Sequence, residues 1–313
     1  MRRIALAGLA TLGLFACGAP DPEPGLSLAL NWKPEPEFGG IFEAERIGAL
    51  AKRGLAVERT GGPGAPVVQM VTARKVSFGI ASADEVVLAR DRGSDVVAIF
   101  ATYQTCPQGL MTHAARNLPS LKALFAASGT LAVEPGLPYV KFLEQRYGFG
   151  KLQVVPYSYS IGPFLSDPLL TQQVFVTAEP IAARRAGSDP QVFLVADSGY
   201  NPYTAVVITH GETLRTDAAR VARFVAALRE GWLSYLKDPG PANALMAPLN
   251  PEMDAEAFRL AAEAQKPLIE VAGGAVGSMR AERWAELASQ LKELGLVKEA
   301  QPAERYFANP AGE

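Results

Sequence analysis

The sequence predicts an α/β protein made of two lobes and a hinge. Short apolar runs alternate with helical segments from residue 26 to 103, and the same alternation restarts near residue 130. Alternation of this kind is typical of βαβ units in a mostly parallel sheet. With 313 residues, 49% of them hydrophobic, the chain is long enough for two lobes. We predict lobe 1 at residues 26–103 and 201–313, and lobe 2 at residues 104–200.

The individual elements follow from the spacing of apolar residues. In lobe 1 the predicted strands are 26–30, 55–60, 78–81 and 96–103, and the helices between them are 41–50, 67–74 and 84–92. In lobe 2 the predicted strands are 130–133, 152–155, 173–176 and 192–195, with one helix at 139–147 and another that follows residue 176 and ends near residue 186. A strand at 204–208 precedes a nearly all-helical tail. Two connections, near residues 103–105 and 198–200, would form a hinge that can close around a solute.

The N-terminus has the pattern of an export signal. Two arginines precede an apolar run at residues 4–15, which predicts a signal peptide at residues 1–16. The segment "LFAC" resembles the lipobox of bacterial lipoproteins, with Cys17 as the lipidated residue, and a Pro-rich tether runs to residue 25. The alternative is an ordinary secretory peptide with an incidental cysteine. We therefore expect an exported protein on the periplasmic or cell-surface side, anchored to the membrane through lipid only, with Cys106 unpaired.

Charge and hydropathy exclude several kinds of partner. The formal net charge is −2 and the isoelectric point is about 5.9, so there is no basic excess to neutralise nucleic acid or anionic lipid. After the N-terminal segment, no apolar run approaches the roughly 18–20 residues that cross a bilayer. We expect no nucleic-acid partner, and a monomer.

Enzymatic and metal-binding motifs are not apparent. The two histidines, His113 and His210, have no Cys, His or acidic neighbour at metal-ligand spacing. The sequence carries no nucleophile elbow, phosphate-binding loop or complete dinucleotide fingerprint. We therefore predict no metal, no cofactor and no catalysis, although a Ser-His-Asp arrangement could still assemble from distant positions.

Two strand-to-helix corners resemble each other. In "VSFGIASADEV" and "QQVFVTAEPI" a strand ends in a hydroxyl residue that is followed by Ala and a carboxylate. Ser82 and Thr177 are predicted helix N-caps, and Glu85 has the spacing of a capping box with Ser82. Together with Asp84 and Glu179, these residues could offer polar contacts to one ligand from two lobes. The alternative is that all five only cap helices or complement helix dipoles.

The order of several motifs indicates a family. "LNWKPEPEFGGIFEAE", "GLAVE", "KVSFGIASADEVVLAR", "VVAIFATYQ", "VTAEP" and "YNPY" resemble periplasmic binding proteins related to binders of thiamine pyrimidine precursors. This resemblance covers about residues 26–210. It implies the type II periplasmic binding protein fold, with a central cleft between two hinged lobes. It also implies delivery of a small molecule to the permease and ATPase subunits of an ABC importer. Solutes of such relatives include formylated aminopyrimidines and riboflavin-like heterocycles.

The resemblance also implies a ligand site in the loop at residues 31–40. Trp32 would stack on a flat ring, and Gly39 and Gly40 would let the backbone approach the ligand. The alternative is that Trp32 packs under the loop as core. Phe38 stands where pyrimidine-binding relatives often carry His, and Phe can only stack or fill space. This difference favours a larger or more apolar aromatic ligand, and it weighs against the fungal pyrimidine synthases that use that His.

Further contacts are predicted around the hinge. Tyr103 and Gln104 lie at the first crossing, Tyr200 and Asn201 at the second, and Tyr157 follows a strand of lobe 2. Tyrosine suits a cleft that is part apolar and part wet, although hinge packing explains these residues almost equally well. The combined prediction is a substrate-binding lipoprotein for a small aromatic heterocycle. The alternatives are a ligand sensor without transport and a pyrimidine-synthase-like enzyme.

Overall fold

The computed structural model describes residues 25–270 and 274–310. The predicted signal peptide, Cys17 and all of the tether but Gly25 lie outside the described residues. Within them the chain forms two mixed sheets flanked by helices, which confirms the predicted α/β class. No helix in the described ranges has the length and apolar character of a membrane span.

Each lobe is built on one five-stranded sheet. The first sheet has the order β2-β1-β3-β10-β4 and the second has the order β7-β6-β8-β5-β9. Four strands of each sheet point the same way, whereas β10 and β5 run antiparallel to their neighbours. The strands are β1 Leu26–Leu30, β2 Val57–Gly61, β3 Phe78–Ala81, β4 Val96–Tyr103, β5 Gln108–His113, β6 Gly129–Val133, β7 Leu152–Pro156, β8 Leu170–Phe175, β9 Pro190–Leu194 and β10 Thr204–His210.

Helices pack on the sheets and form most of the C-terminal part. They are α1 Gly39–Arg46, α2 Val67–Thr72, α3 Ala83–Asp91, α4 Leu121–Ala126, α5 Pro138–Tyr147, α6 Gly162–Ser166, α7 Glu179–Arg185, α8 Gly211–Thr216, α9 Ala218–Tyr235, α10 Gly240–Met246, α11 Ala255–Ile269 and α12 Ala281–Glu293. Four of these elements, β5, α4, α6 and α8, were not predicted from the sequence. The segment of β5, "QGLMTH", lacks the alternation that identifies a half-buried strand.

The chain changes sheet at two points. Strand β4 ends at Tyr103 and β5 begins at Gln108, while β9 ends at Leu194 and β10 begins at Thr204. These points lie at the two predicted connections, and they place strands β5–β9 in the second sheet. The exact residues at which one separately folding lobe ends and the other begins stay a prediction.

Helix α1 packs very closely against α9, and this packing explains two glycines of the loop. A Cβ atom on Gly39 would lie 2.2 Å from the ring of Tyr235, and one on Gly40 would lie 2.2 Å from the ring of Trp232. Gly231 of α9 faces the carbonyl oxygen of Gly40 at the same close range. The sequence predicted that Gly39 and Gly40 let the backbone approach a ligand. The structure corrects this prediction, because the two glycines permit close contact between α1 and α9.

This packing predicts a large stability effect for Gly40→Ala. The added methyl group would overlap the ring of Trp232, so α1 and α9 must separate, and overpacking of this kind costs about 1–3 kcal/mol. Urea unfolding should show the loss as a lower midpoint. Gly25→Ala is the matched control, because a Cβ atom there meets nothing within 4 Å. Equal midpoints for the two variants would contradict the packing role.

Candidate functional site: the cleft between the lobes

The two lobes touch each other in this structure. Arg185 on α7 forms an ion pair of 2.5 Å with Asp254, the N-cap of α11. Thr177 of lobe 2 lies near the hydroxyl group of Tyr103 in lobe 1, where it partly offsets the rise in the pKa of Tyr103 that burial causes. Val176 and Leu194 of lobe 2 also pack against the apolar core of lobe 1. The structure therefore shows the two lobes in contact with each other, which is a closed arrangement of the cleft.

The corner between β3 and α3 has the predicted capping geometry. Ser82 is the N-cap of α3, and its backbone N–H donates to Glu85 Oε2 at 2.8 Å. The Ser82 hydroxyl also contacts Asp84, and Asp84 Oδ2 accepts a 3.2 Å hydrogen bond from the hydroxyl group of Tyr200. Burial raises the pKa of Glu85. Capping and hinge contacts thus account for these side chains, and ligand contact by them stays a prediction.

The corner between β8 and α7 differs from the prediction. Ala178, not Thr177, is the N-cap of α7, so the predicted cap is wrong. Glu179 instead turns back toward the strand: Oε2 accepts the backbone N–H of Phe175 and Oε1 accepts the hydroxyl group of Tyr157, both at 2.8 Å. Burial raises the pKa of Glu179. The corner places a largely desolvated carboxyl group on the lobe 2 side of the cleft.

The loop before α1 places an indole and a carboxyl group side by side. The side chain of Trp32 is 37% exposed, so the alternative that it packs as core is wrong. Its Nε1–H donates to Glu35 Oε1 at 3.1 Å, and the amide nitrogen of Asn250 donates to the same oxygen at 3.3 Å. Phe38, in contrast, is fully buried within the lobe 1 core. Its predicted stacking on a ligand is therefore corrected to packing in the core.

Glu35 and Glu37 are the residues that the sequence analysis missed. Burial, and next to it the charge of Glu179 across the cleft, raises the pKa of Glu35 to about 7, although the hydrogen bond from Trp32 opposes this shift. Burial and the charge of Glu35 raise the pKa of Glu37 to about 8. Within residues 25–270 and 274–310, no hydrogen bond to the Glu37 carboxyl group is found. The available signal was two glutamates that each follow a proline in "PEPEF".

A guanidinium group holds the two hinge connections together. Arg283 on α12 donates to the carbonyl oxygens of Gln104 and Asn201, both at 2.6 Å, and lies 3.8 Å from the ring centre of Tyr203. The side-chain oxygen of Asn201 accepts the backbone N–H of Cys106 at 2.9 Å. Arg283 and Asn201 thus link the first crossing to the second.

The other predicted hinge residues also have internal partners. The side chain of Gln104 donates to the carbonyl oxygens of Ala101 and Ser278. Tyr103 is fully buried and its hydroxyl group donates to Gln265 Oε1 at 2.8 Å. The structure therefore favours hinge packing for Gln104, Tyr103, Tyr200 and Asn201, while direct ligand contact by them stays a prediction.

The predicted residues fall into three groups. In the cleft group, Trp32, Glu35 and Glu37 of lobe 1 lie near Tyr157, Thr177 and Glu179 of lobe 2, and Tyr103 lies near Thr177. The hinge group is Asp84, Gln104, Tyr200 and Asn201. The packing and capping group is Phe38, Gly39, Gly40, Ser82 and Glu85. The cleft group is predominantly acidic and aromatic, which suits hydrogen-bond donors on a flat ligand.

The histidines and the free cysteine make contacts within the fold. His113 Nε2 lies 2.8 Å from the carbonyl oxygen of Phe164, and His210 Nδ1 accepts the N–H of Glu212 at the start of α8. Cys106 is buried, and burial raises the pKa of its thiol to about 11. No group of three or more His, Cys, Asp or Glu side chains suited to a metal is found among the described residues.

Comparison with known families identifies the chain. A family model described as "NMT1/THI5 like" matches residues 35–242, which is more than half of the sequence. The chain belongs to the NMT1/THI5-like family. The match begins at Glu35, so it includes both hinge connections and every strand except β1, whereas Trp32 lies just before it. No curated protein matches the sequence.

Solved structures place this NMT1/THI5-like chain in the periplasmic binding protein fold. The aliphatic sulphonate binding protein SsuA of Escherichia coli aligns with a TM-score of 0.72 at 13% identity, covering 92% of this chain and 93% of that one. SsuA of Xanthomonas axonopodis pv. citri, bound to MOPS, gives 0.66 at 11% identity over 91% and 98%. The desulfurization enzyme DSZB gives 0.63 at 14% identity over 91% and 96%. At such low identity these similarities establish the fold, which confirms the predicted two-lobed architecture.

Proposed function

We propose that this protein is the solute receptor of an ABC importer and that it captures a small aromatic heterocycle between its lobes. The observation that carries the proposal is the position of Trp32. Its indole is exposed beside the cleft and is oriented by Glu35, so an aromatic face and a hydrogen-bond acceptor are presented together. Offset stacking on such a face contributes about 0.5–1.5 kcal/mol beyond burial.

The transport role is favoured over the alternatives by the fold and its hinge. The fold is shared with binding proteins such as SsuA, and two connections joined by Arg283 allow the lobes to close on a solute. The fold is also shared with the enzyme DSZB. However, the buried thiol and the two engaged histidines offer no activated nucleophile or base. The receptor would be exported and held at the membrane by the lipid on Cys17, with a permease and an ATPase as its partners.

The proposal predicts a specific fluorescence response and a specific loss of affinity. Trp232 and Trp284 are fully buried, so Trp32 is the tryptophan that a ligand can reach among the three in the sequence. A screen of pyrimidines, flavins, purines and vitamins by thermal shift and calorimetry should yield a ligand that quenches Trp32. Trp32→Ala should abolish the quenching and weaken binding at least fivefold, since the loss of about 1 kcal/mol of stacking corresponds to that factor.

The matched control is Leu233→Ala, which removes another exposed apolar side chain from the outer face of α9. It should leave the affinity unchanged. If Trp32→Ala binds the best ligand within twofold of the unmodified protein, the stacking role is wrong. If no compound of the panel binds, the receptor function itself is contradicted.

A further inference from the structure

Three carboxyl groups lie near one another where the two lobes meet. Glu35 and Glu37 stand two residues apart on the loop before α1, and the charge of Glu179 in lobe 2 acts on Glu35. Lys33 also acts on Glu35, but its Nζ forms an ion pair with Glu252 at the surface. Like charges repel each other strongly in a partly desolvated site, so the contact between the lobes is costly while all three carboxyl groups are ionised.

The side chain of Asn250 shows that a hydrogen-bond donor is missing beside Glu35. Asn250 lies between α10 and α11 and is 1% exposed. Its amide nitrogen donates to the carbonyl oxygen of Pro34 and to Glu35 Oε1, each at 3.3 Å, which uses both of its N–H groups. Its amide oxygen, on the same carbon atom, is buried and has no partner within residues 25–270 and 274–310. A buried acceptor without a donor is costly, so this site favours a state that supplies one.

The missing donor can be a proton on Glu35 itself. Oε1 of Glu35 already accepts from the indole of Trp32 and from the amide of Asn250, so the proton would reside on Oε2. A neutral carboxyl group and a carboxamide can pair through two hydrogen bonds, with the amide N–H donating in one direction and the acid O–H donating in the other. Protonation of Glu35 therefore satisfies Asn250 and removes one of the three charges in the same step.

We propose that Glu35 and Asn250 form a proton-operated switch of lobe closure: the lobes close when a proton joins the two side chains in an acid–amide pair, and they part when Glu35 is ionised. The switch regulates the same cleft, so its use in transport rests on the proposed receptor function. Such a receptor would hold its solute in acidic surroundings and release it in alkaline ones.

The direction of the switch follows from burial. Burial is the largest cause that raises the pKa of Glu35 from its ordinary value of 4.5 to about 7 and that of Glu37 to about 8. Burial also raises the pKa of Glu179. Opening the lobes hydrates the loop and takes Glu179 away, so the open form holds these protons less tightly than the closed form. Closure is therefore most favourable in acid and is lost as the pH passes through 7 and 8.

Other groups between the lobes keep their charge state over this range. Arg185 pairs with Asp254 across the lobes at 2.5 Å, and this hydrogen bond raises the pKa of Arg185 and lowers that of Asp254, so both stay charged. Tyr157 donates to Glu179, and burial raises the pKa values of Tyr157 and Tyr103, so both hydroxyl groups stay neutral. The pH response of closure is therefore assigned to the carboxyl groups.

The separation of the lobes tests the switch without any ligand. Spin labels at Glu58→Cys and Gln153→Cys, which are exposed positions on β2 and β7, report this separation by pulsed dipolar spectroscopy. The distance distribution should be single and narrow at pH 6, and at pH 9 it should shift to longer distances and widen about twofold. Glu35→Gln carries an amide N–H in place of the acid O–H, so it should keep the narrow distribution at both pH values.

A second readout follows the proton directly. Infrared difference spectroscopy between pH 6 and pH 9 should show the C=O band of a protonated carboxyl group at pH 6, its loss at pH 9, and a weaker band in Glu35→Gln. The band of the unmodified protein can be measured whatever the stability of the variant.

Glu144→Gln is the matched control, because Glu144 is exposed on α5 of lobe 2 and its replacement should leave the pH response unchanged. Three results would each overturn the switch: equal distance distributions at pH 6 and pH 9, a full pH response in Glu35→Gln, or no protonated-carboxyl band at pH 6. The receptor function would still stand in those cases, because its own test is the binding of a ligand that quenches Trp32. Failure of the whole ligand panel would contradict the receptor function, but it would leave a measured pH response of the lobes in place.

Discussion

Arg283→Met is expected to lower the free energy of unfolding by about 2–4 kcal/mol, because hydrogen bonds from a charged group contribute about 1.5–3 kcal/mol each. The guanidinium group donates to one backbone carbonyl in each hinge connection, at 2.6 Å in both cases. Methionine preserves the apolar stem over Tyr203 but leaves both carbonyl oxygens without this donor. Urea unfolding should show the lower free energy of unfolding. The two lobes should also adopt a wider range of relative orientations.

Arg280→Met is the control for this variant. Arg280 precedes α12 and its side chain is exposed, so its replacement should change stability by less than about 0.5 kcal/mol. A shared unfolding midpoint for the two variants would show that Arg283 does not hold the connections together.

The stability of the closed protein is expected to fall as the pH rises from about 5 to about 8. Because burial raises the pKa of Glu35 to about 7 and that of Glu37 to about 8, the folded state keeps protons that the unfolded chain has already lost above pH 4.5. The stabilising contribution is therefore complete below pH 4.5 and disappears as the pH passes through 7 and 8. The slope can reach about 1.4 kcal/mol per pH unit for each proton involved.

The groups around Glu35 and Glu37 shift the pKa values of these two carboxyl groups in both directions. Trp32, Asn250 and Lys33 lower the pKa of Glu35, whereas Glu179 raises it, and Glu35 raises the pKa of Glu37. Denaturant unfolding at pH 5, 6, 7 and 8 should show a shallower slope for Glu37→Gln than for the unmodified protein. Glu58→Gln should retain the original slope. A free energy of unfolding that stays constant or rises from pH 5 to pH 8 would contradict the desolvation of Glu35 and Glu37.

Strands and helix caps were predicted well because the signals for them lie in residues that are neighbours in the sequence. The strand at 26–30, the strand at 96–103 and the Ser82–Glu85 capping box all follow from short-range spacing, and the structure has each of them. Thr177 failed as a cap because Glu179 finds hydrogen-bond partners in Phe175 and Tyr157, and the partnership with Tyr157 depends on how separate elements meet.

The cleft itself was only partly predictable. The exposure of Trp32 fits the role that the family resemblance implies, but the burial of Phe38 depends on where α1 lies against the core. Glu35 and Glu37 had no predicted role. The segment that carries them packs against Asn250 and helix α11, which lie more than 200 residues away in the sequence, and no spacing within the loop carries that information.

The most direct test of the account is the distance between the lobes in solution. Spin labels at Glu58→Cys and Gln153→Cys would occupy exposed positions on β2 and β7, and the natural Cys106 is buried. Pulsed dipolar spectroscopy should show a broad distribution at pH 8 without ligand, and a single shorter distance when a saturating concentration of the best ligand from the heterocycle screen is added. A distribution that is unchanged by that ligand would contradict closure of the lobes on a solute.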